Sequence, residues 1–198
     1  YANAWAAQNA NALISLSQIS ETLCILLIPV CLKKFGIKGV MLMSMIAWVL
    51  RFGLFGFGDP DGGLWMFVLS CIVYGIAFDF FNVSGGLYVD NQTTDDIRSS
   101  AQGMFMIMTN GLGATIGTLA AMLIVNHNVV ETAPVAEQLE GWRTSWLIFA
   151  GYALVVTVLF MLLFKDNGNR PSAEQIQAAE DTTSGADGFT ESSPVSAK

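Results

Sequence analysis

Five long apolar runs constrain this chain more than anything else in it. They are roughly Ala12 to Leu32, Val40 to Phe57, Leu64 to Tyr88, Ser99 to Val125 and Thr144 to Phe164, and between them they hold only Glu21, Arg51 and Asp79 as acidic or basic residues. A hydrocarbon core roughly 30 Å thick takes ~20 residues of helix, and only a segment that satisfies its own backbone groups can cross it. The runs are apolar on every side, whereas a surface helix of a soluble protein keeps one polar face, and they are too long for strands. The fold class expected is therefore all-α, a polytopic membrane helical bundle of five spans within residues 12–164. An external remnant at 1–11 precedes the spans. After Phe164 the residues turn to Asn, Gly, Pro, Ser, Ala and acids, so 165–198 is expected to be a disordered cytoplasmic tail.

Charged residues make up 13% of the chain and its formal net charge is -7, so the surplus of Lys and Arg that a nucleic-acid partner demands is absent. The expected surroundings are the lipid bilayer. The chain opens at Tyr1 with neither Met nor a basic, cleavable leader pattern, and is read as a piece of a longer protein whose N-terminal half would be its partner. Cys24, Cys31 and Cys71 all lie in apolar runs, where a thiol acts as a small hydrophobe. His127 is the one histidine and falls in a loop. With no metal-ligand spacing and no nucleophile beside a base, neither enzyme activity, metal nor cofactor is expected.

Basic residues flanking spans stay on the cytoplasmic side. Lys33, Lys34 and Lys38 crowd the first short loop, and alternate crossing brings Arg98, Lys165 and Arg170 to that same side, with Arg143 alone opposite. The C-terminus is thus expected inside. Trp65, Trp142 and Trp146 sit near the outer boundaries, the usual level for amphipathic rings. Asn126 to Trp142 is expected to be an external loop, with a short helix starting near Pro134.

Glu21, Arg51 and Asp79 each fall near the middle of a run. A charge at the bilayer centre costs a few kcal/mol or more, so such residues face a polar interior or a water path. All three are functional-site candidates; the plainer alternative for Arg51 is an ion pair with one carboxylate that only joins helices. Gln18 lies one turn before Glu21 on its face, with Ser17 beside it; Tyr74, Phe78, Asp79 and Asn82 gather rings and hydrogen-bonding groups on the third run. Such a wall suits a polar, aromatic solute. Carboxylates in a desolvated cavity also exchange protons readily enough to couple a gradient to solute movement, and Asp79, Glu21 and Arg51 are the candidates for that role. Gly113 and Gly117 form a G-x-x-x-G pair suited to close helix packing, and Pro29 is placed to bend the first span.

The stretches Ser17-Gln18-Ile19-Ser20-Glu21-Thr22-Leu23, Phe35-Gly36-Ile37-Lys38 and Ala47-Trp48-Val49-Leu50-Arg51-Phe52 resemble the nucleoside:proton symporters of the major facilitator superfamily, typified by the enterobacterial nucleoside permeases. Tyr74-Gly75-Ile76-Ala77-Phe78-Asp79-Phe80-Phe81-Asn82, Arg98 to Phe105, Met108 to Gly111 and Trp146 to Tyr152 follow in the same order. The resemblance runs from about Ser15 to Phe164. It implies a multi-pass carrier of the bacterial inner membrane with twelve spans in two halves, of which this chain would supply the eighth to twelfth. It also implies that Gln18 and Glu21 contact nucleoside, that Phe78 packs on the base, and that Asp79 serves binding or coupling. Lys33, Lys34, Gly36 and Lys38 would match the family's cytoplasmic gating loop, although Cys31-Leu32 replaces its usual acidic residue. The function expected is import of nucleosides by proton symport; the alternatives are a carrier for a sugar or other polar solute, and a non-transporting membrane receptor.

Overall fold

The computed structural model describes residues 8–59, 62–164 and 176–177, and most of the tail expected to be disordered lies outside them. Four helices among the described residues are long and apolar enough to cross a membrane: α1 (Ala10–Phe57), α2 (Leu64–Gln92), α3 (Asp95–Asn128) and α4 (Val135–Leu163). The count expected from the runs was five. The difference lies in α1, where the runs Ala12 to Leu32 and Val40 to Phe57 join without a loop. Its backbone leaves helical geometry at one residue, Gly36, with φ 69° and ψ 176°, a region that glycine enters without the Cβ clash of other residues. Pro29, expected to bend this helix, is buried in a limb that stays helical.

Contacts with α2 reveal the shape of α1. Ser20 Oγ donates to the Ile72 carbonyl at 2.5 Å, Ser44 Oγ to the Ala77 carbonyl at 2.5 Å, and Ser70 Oγ to the Arg51 carbonyl at 3.3 Å. A straight helix would hold Ser20 and Ser44 roughly 36 Å apart at 1.5 Å per residue. Both instead meet the same short stretch of α2, so the two limbs fold back as a hairpin about Gly36. Cys24, Ile28, Leu32, Ile37, Val40, Met41 and Phe80 make the core near the bend.

The hairpin meets α2 through small side chains. A Cβ added to Gly75 would stand 2.8 Å from the Ser20 carbonyl oxygen and 2.9 Å from both N and Cα of Glu21. Ser44, Ser70, Ala77 and Ser84 are fully buried beside it. Lipid offers no hydrophobic force between helices, so close backbone approach and hydroxyl-to-carbonyl bonds carry the association.

Helix α4 runs antiparallel to the second limb. At one end Trp146 stacks on Phe55 at 4.8 Å; at the other Phe164 meets Tyr88 at 4.9 Å, and Lys38 Nζ donates to the Phe164 carbonyl. That carbonyl caps the end of α4, where a cation complements the helix dipole. The helix begins at Val135, with Pro134 as its N-cap and Glu137 in its first turn. The external loop therefore shrinks from the expected Asn126–Trp142 to a short connection after Asn128, and the last helix starts well before Thr144.

Helix α3 is the outlier. It contains a π-helical segment, Ile107–Gly113, and none of its described residues is buried. It is tied to α2 at its start, where Gln102 Nε2 donates to the Gly86 carbonyl at 2.7 Å and to Asp90 Oδ1 at 2.8 Å, and Arg98 pairs with Asp90 at 3.8 Å. No described neighbour stands within 4 Å of a Cβ at Gly117. The G-x-x-x-G pair thus packs against nothing described here, contrary to expectation; small residues allow close approach but do not supply the second helix.

Gly75→Ala should destabilise the protein by about 1–3 kcal/mol, because the methyl group would press on backbone that cannot rotate away. Gly53→Ala, where a Cβ meets nothing within 4 Å, should be neutral or stabilising by up to ~1 kcal/mol. Thermal unfolding of the protein in detergent compares the two.

Candidate functional site

The crossing at Gly75 places the polar residues of the two helices at one level. Glu21 sits on the first limb directly against Gly75, and Asp79 lies one turn further along α2. Asp79 is buried at 8% exposure, and its Oδ2 has no hydrogen-bond partner. A buried polar oxygen left unmet costs about 1–3 kcal/mol or more, so this atom is a natural acceptor for a proton carrier or a solute hydroxyl. Glu21 is half-buried beside it and Gln18, one turn away, is exposed.

Along α2, Tyr74, Phe78 and Asn82 form a stripe at i, i+4 and i+8. The Tyr74 and Phe78 rings stack at 6.0 Å with 24° between planes, and Phe78 remains 36% exposed. Asn82 Nδ2 donates to the Phe78 carbonyl at 3.1 Å, which leaves its amide oxygen as the free acceptor. Phe78 and Asn82 thus share one face of α2, while Gln18 and Glu21 share one face of the first limb at the level of Gly75. Ser17 does not join them through its hydroxyl, which bonds to the Leu13 carbonyl at 3.2 Å.

Arg51 is not where the ion-pair alternative put it. Among the described residues no carboxylate pairs with it. Its guanidinium lies 4.2 Å over the Tyr74 ring, with Phe55 at 5.5 Å and Trp48 at 5.8 Å, and Nη1 donates to the Ser70 carbonyl at 3.4 Å. Ring faces carry negative potential and compensate a buried cation without an acid. Trp48 also meets Tyr74 edge-on at 6.1 Å. Arg51 is therefore connected to the carboxylate wall through Tyr74 and its stacking partner Phe78.

At the bend, Lys33, Lys34 and Phe35 are exposed, and Lys34 Nζ lies 5.3 Å from the Phe35 ring centre. Lys38 is held by the end of α4, as above. His127 falls in the last turn of α3, exposed, and not in a loop. Three residues were not singled out from sequence: Ser20, Trp48 and Gly75. The signal for Gly75 was its position inside an aromatic stretch, where a residue with no side chain has a use only if another backbone comes close.

The family model of the nucleoside H+ symporters matches residues 2–169. The chain belongs to that family. It is 49% identical over 166 residues to the nucleoside permease NupG of Escherichia coli K12, covering 83% of this chain and 38% of that protein. To the xanthosine permease of the same organism it is 47% identical over 168 residues, covering 84% and 39%. The crystal structure of nucleoside transporter NupG superposes with a TM-score of 0.76 at 46% identity, over 84% of this chain and 40% of that one. The chain therefore spans about two fifths of the relatives it matches. Its all-helical, membrane-spanning architecture is shared with the matched portion of the solved transporter.

Two substitutions separate the ring cage from an ion pair. Arg51→Met should cost about 2 kcal/mol of stability by removing a desolvated cation from three rings. Tyr74→Phe, which keeps the ring under the guanidinium, should cost less than about 0.5 kcal/mol. Thermal unfolding reads both.

Proposed function

We propose that this chain forms part of a proton-driven nucleoside importer of the bacterial inner membrane, working by alternating access about a site at mid-membrane. The observation that carries the reading is the crossing at Gly75, which sets Glu21 of one helix against the turn of α2 that precedes Asp79, with Asp79 Oδ2 unmet and the Phe78 ring partly exposed next to it in sequence. A nucleoside needs a planar surface for its base and acceptors for its sugar hydroxyls. Phe78, braced by Tyr74, offers the surface; Gln18, Glu21, Asp79 and Asn82 offer the polar contacts. Membership of the nucleoside H+ symporter family and the names of the relatives support this choice over a sugar carrier.

Proton coupling follows if one carboxylate is protonated in the loaded carrier and released on the other side. Differential affinity of the two access states for solute and proton together drives accumulation. Asp79 and Glu21 carry that step in this reading, and Arg51 contributes by fixing Tyr74. The hairpin about Gly36 makes two crossings, bringing the spans to five. Lys33, Lys34, Gly36 and Lys38, at the turn of the hairpin, act as the gate on the cytoplasmic face, where the C-terminus also lies.

In proteoliposomes containing the full-length protein, an inward proton gradient should concentrate labelled uridine. Asp79→Asn or Glu21→Gln should abolish this accumulation while retaining part of the exchange of labelled against unlabelled uridine. Unchanged accumulation in both variants would refute the assignment. Excess unlabelled nucleoside should suppress uptake, and a solute whose uptake it leaves untouched would point to another carrier class.

A further inference from the structure

Two adjoining hollows lie at the helix ends remote from Gly36, away from the carboxylate wall. The first is a cavity of about 630 Å³ between the end of α1, the start of α2 and the first turns of α4, within the size range of ligand sites. Phe57, Phe67, Trp142 and Trp146 supply its rings; Glu140, Asp59 and Arg143 supply its charges. The second, about 490 Å³, shares Phe57 with the first and is lined only by apolar residues, among them Leu50, Gly53, Leu147, Gly151 and Leu154. From Leu147 to Leu154 it runs ~10 Å along α4 toward the middle of the span. Glycine keeps it open: a Cβ at Gly53 or Gly151 would meet nothing within 4 Å.

A charged, ring-lined mouth at the level where tryptophans mark the membrane boundary, opening onto a dry groove that descends into the span, has the shape and polarity of a phospholipid. We propose that these two hollows form one binding site for a glycerophospholipid with a primary ammonium headgroup, phosphatidylethanolamine in kind. Arg143 takes the phosphate, Glu140 receives the ammonium, and one acyl chain lies in the groove over Gly53 and Gly151. The guanidinium of Arg143 is already positioned at the mouth, 5.8 Å over the Phe57 ring.

The lining argues for this headgroup against others. Glu140 beside Arg143 matches a zwitterionic headgroup, whereas an anionic one would set a like charge against Glu140. A quaternary ammonium needs open ring faces, but these rings are engaged with one another or with Arg143. Trp146 stacks on Phe55 at 4.8 Å and on Trp142 at 6.5 Å. What remains for the cation is carboxylate oxygen, which favours an ammonium with N–H bonds to donate. The inference rests on the membrane-spanning fold and is independent of the transported solute.

Native mass spectrometry of the full-length protein in detergent, titrated with phosphatidylethanolamine, phosphatidylcholine or phosphatidylglycerol of identical acyl chains, tests it. The protein should retain one molecule of the ethanolamine lipid preferentially. Gly151→Leu, which puts a side chain into the groove where a Cβ meets nothing within 4 Å, should lower that retention by about fivefold or more through displaced methylenes; Gly53→Leu should act alike. Glu140→Gln should erase the preference over phosphatidylcholine, and Arg143→Gln should weaken both. Equal retention of all three lipids by the unaltered protein, or retention unchanged in both glycine variants, would overturn the proposal. Uridine transport that failed while these lipid results held would count against the proposed function alone.

Discussion

The close approach of two backbones at Gly75 is the contact on which the remainder depends. Because α2 has no side chain there, its helix lies directly on Ser20 and Glu21. Within one turn of that contact stand Asp79, whose carboxylate is buried, and the Tyr74–Phe78 stack. A larger residue at 75 would move all of them away from Glu21 together. Three serines extend the same logic: Ser20, Ser44 and Ser70 each bond a carbonyl of the neighbouring helix, so position along the crossing is fixed by hydrogen bonds as well as by fit. In lipid, where burial of apolar surface gives helices no preference for one another, this is the available means of specifying register.

A second consequence concerns charge. Among the described residues of the spans, the charges are kept apart by type: Glu21 and Asp79 belong to the two helices that cross at Gly75, and Arg51 is compensated by rings instead of by either of them. A salt bridge would have neutralised one carboxylate permanently. The ring cage leaves both acids available while tying the cation to the aromatic stack that faces the same wall. Structural support and the proposed solute recognition therefore meet at Tyr74.

Much of this was legible in the sequence, and the limits have physical causes. The five apolar runs all fall within the four membrane-length helices among the described residues, because the cost of unpaired backbone in lipid forces the assignment. They misplaced the ends, since a helix does not stop where hydrocarbon does: α2 continues to Gln92 and α4 begins at Val135. The single-residue turn at Gly36 was invisible for the same reason, as the polar stretch around it read as a loop. Within one helix, spacing revealed the Tyr74, Phe78, Asn82 stripe and the Gln18–Glu21 face. Between helices spacing is silent, so neither the Gly75 contact nor the ring partners of Arg51 could be read, and the G-x-x-x-G pair pointed to a neighbour that α3 does not meet among the described residues.

The central claim is that Glu21 and Asp79 share one solute-binding chamber. The most direct test is a double-mutant cycle on nucleoside dissociation constants, measured by calorimetry on the full-length protein with Glu21→Gln, Asp79→Asn and both together. Groups acting on one solute at one site should be coupled by about 1 kcal/mol or more, so the double variant departs clearly from the sum of the singles. Losses that add to within about 0.3–0.5 kcal/mol would mean that the two carboxylates work apart, and the account would be wrong.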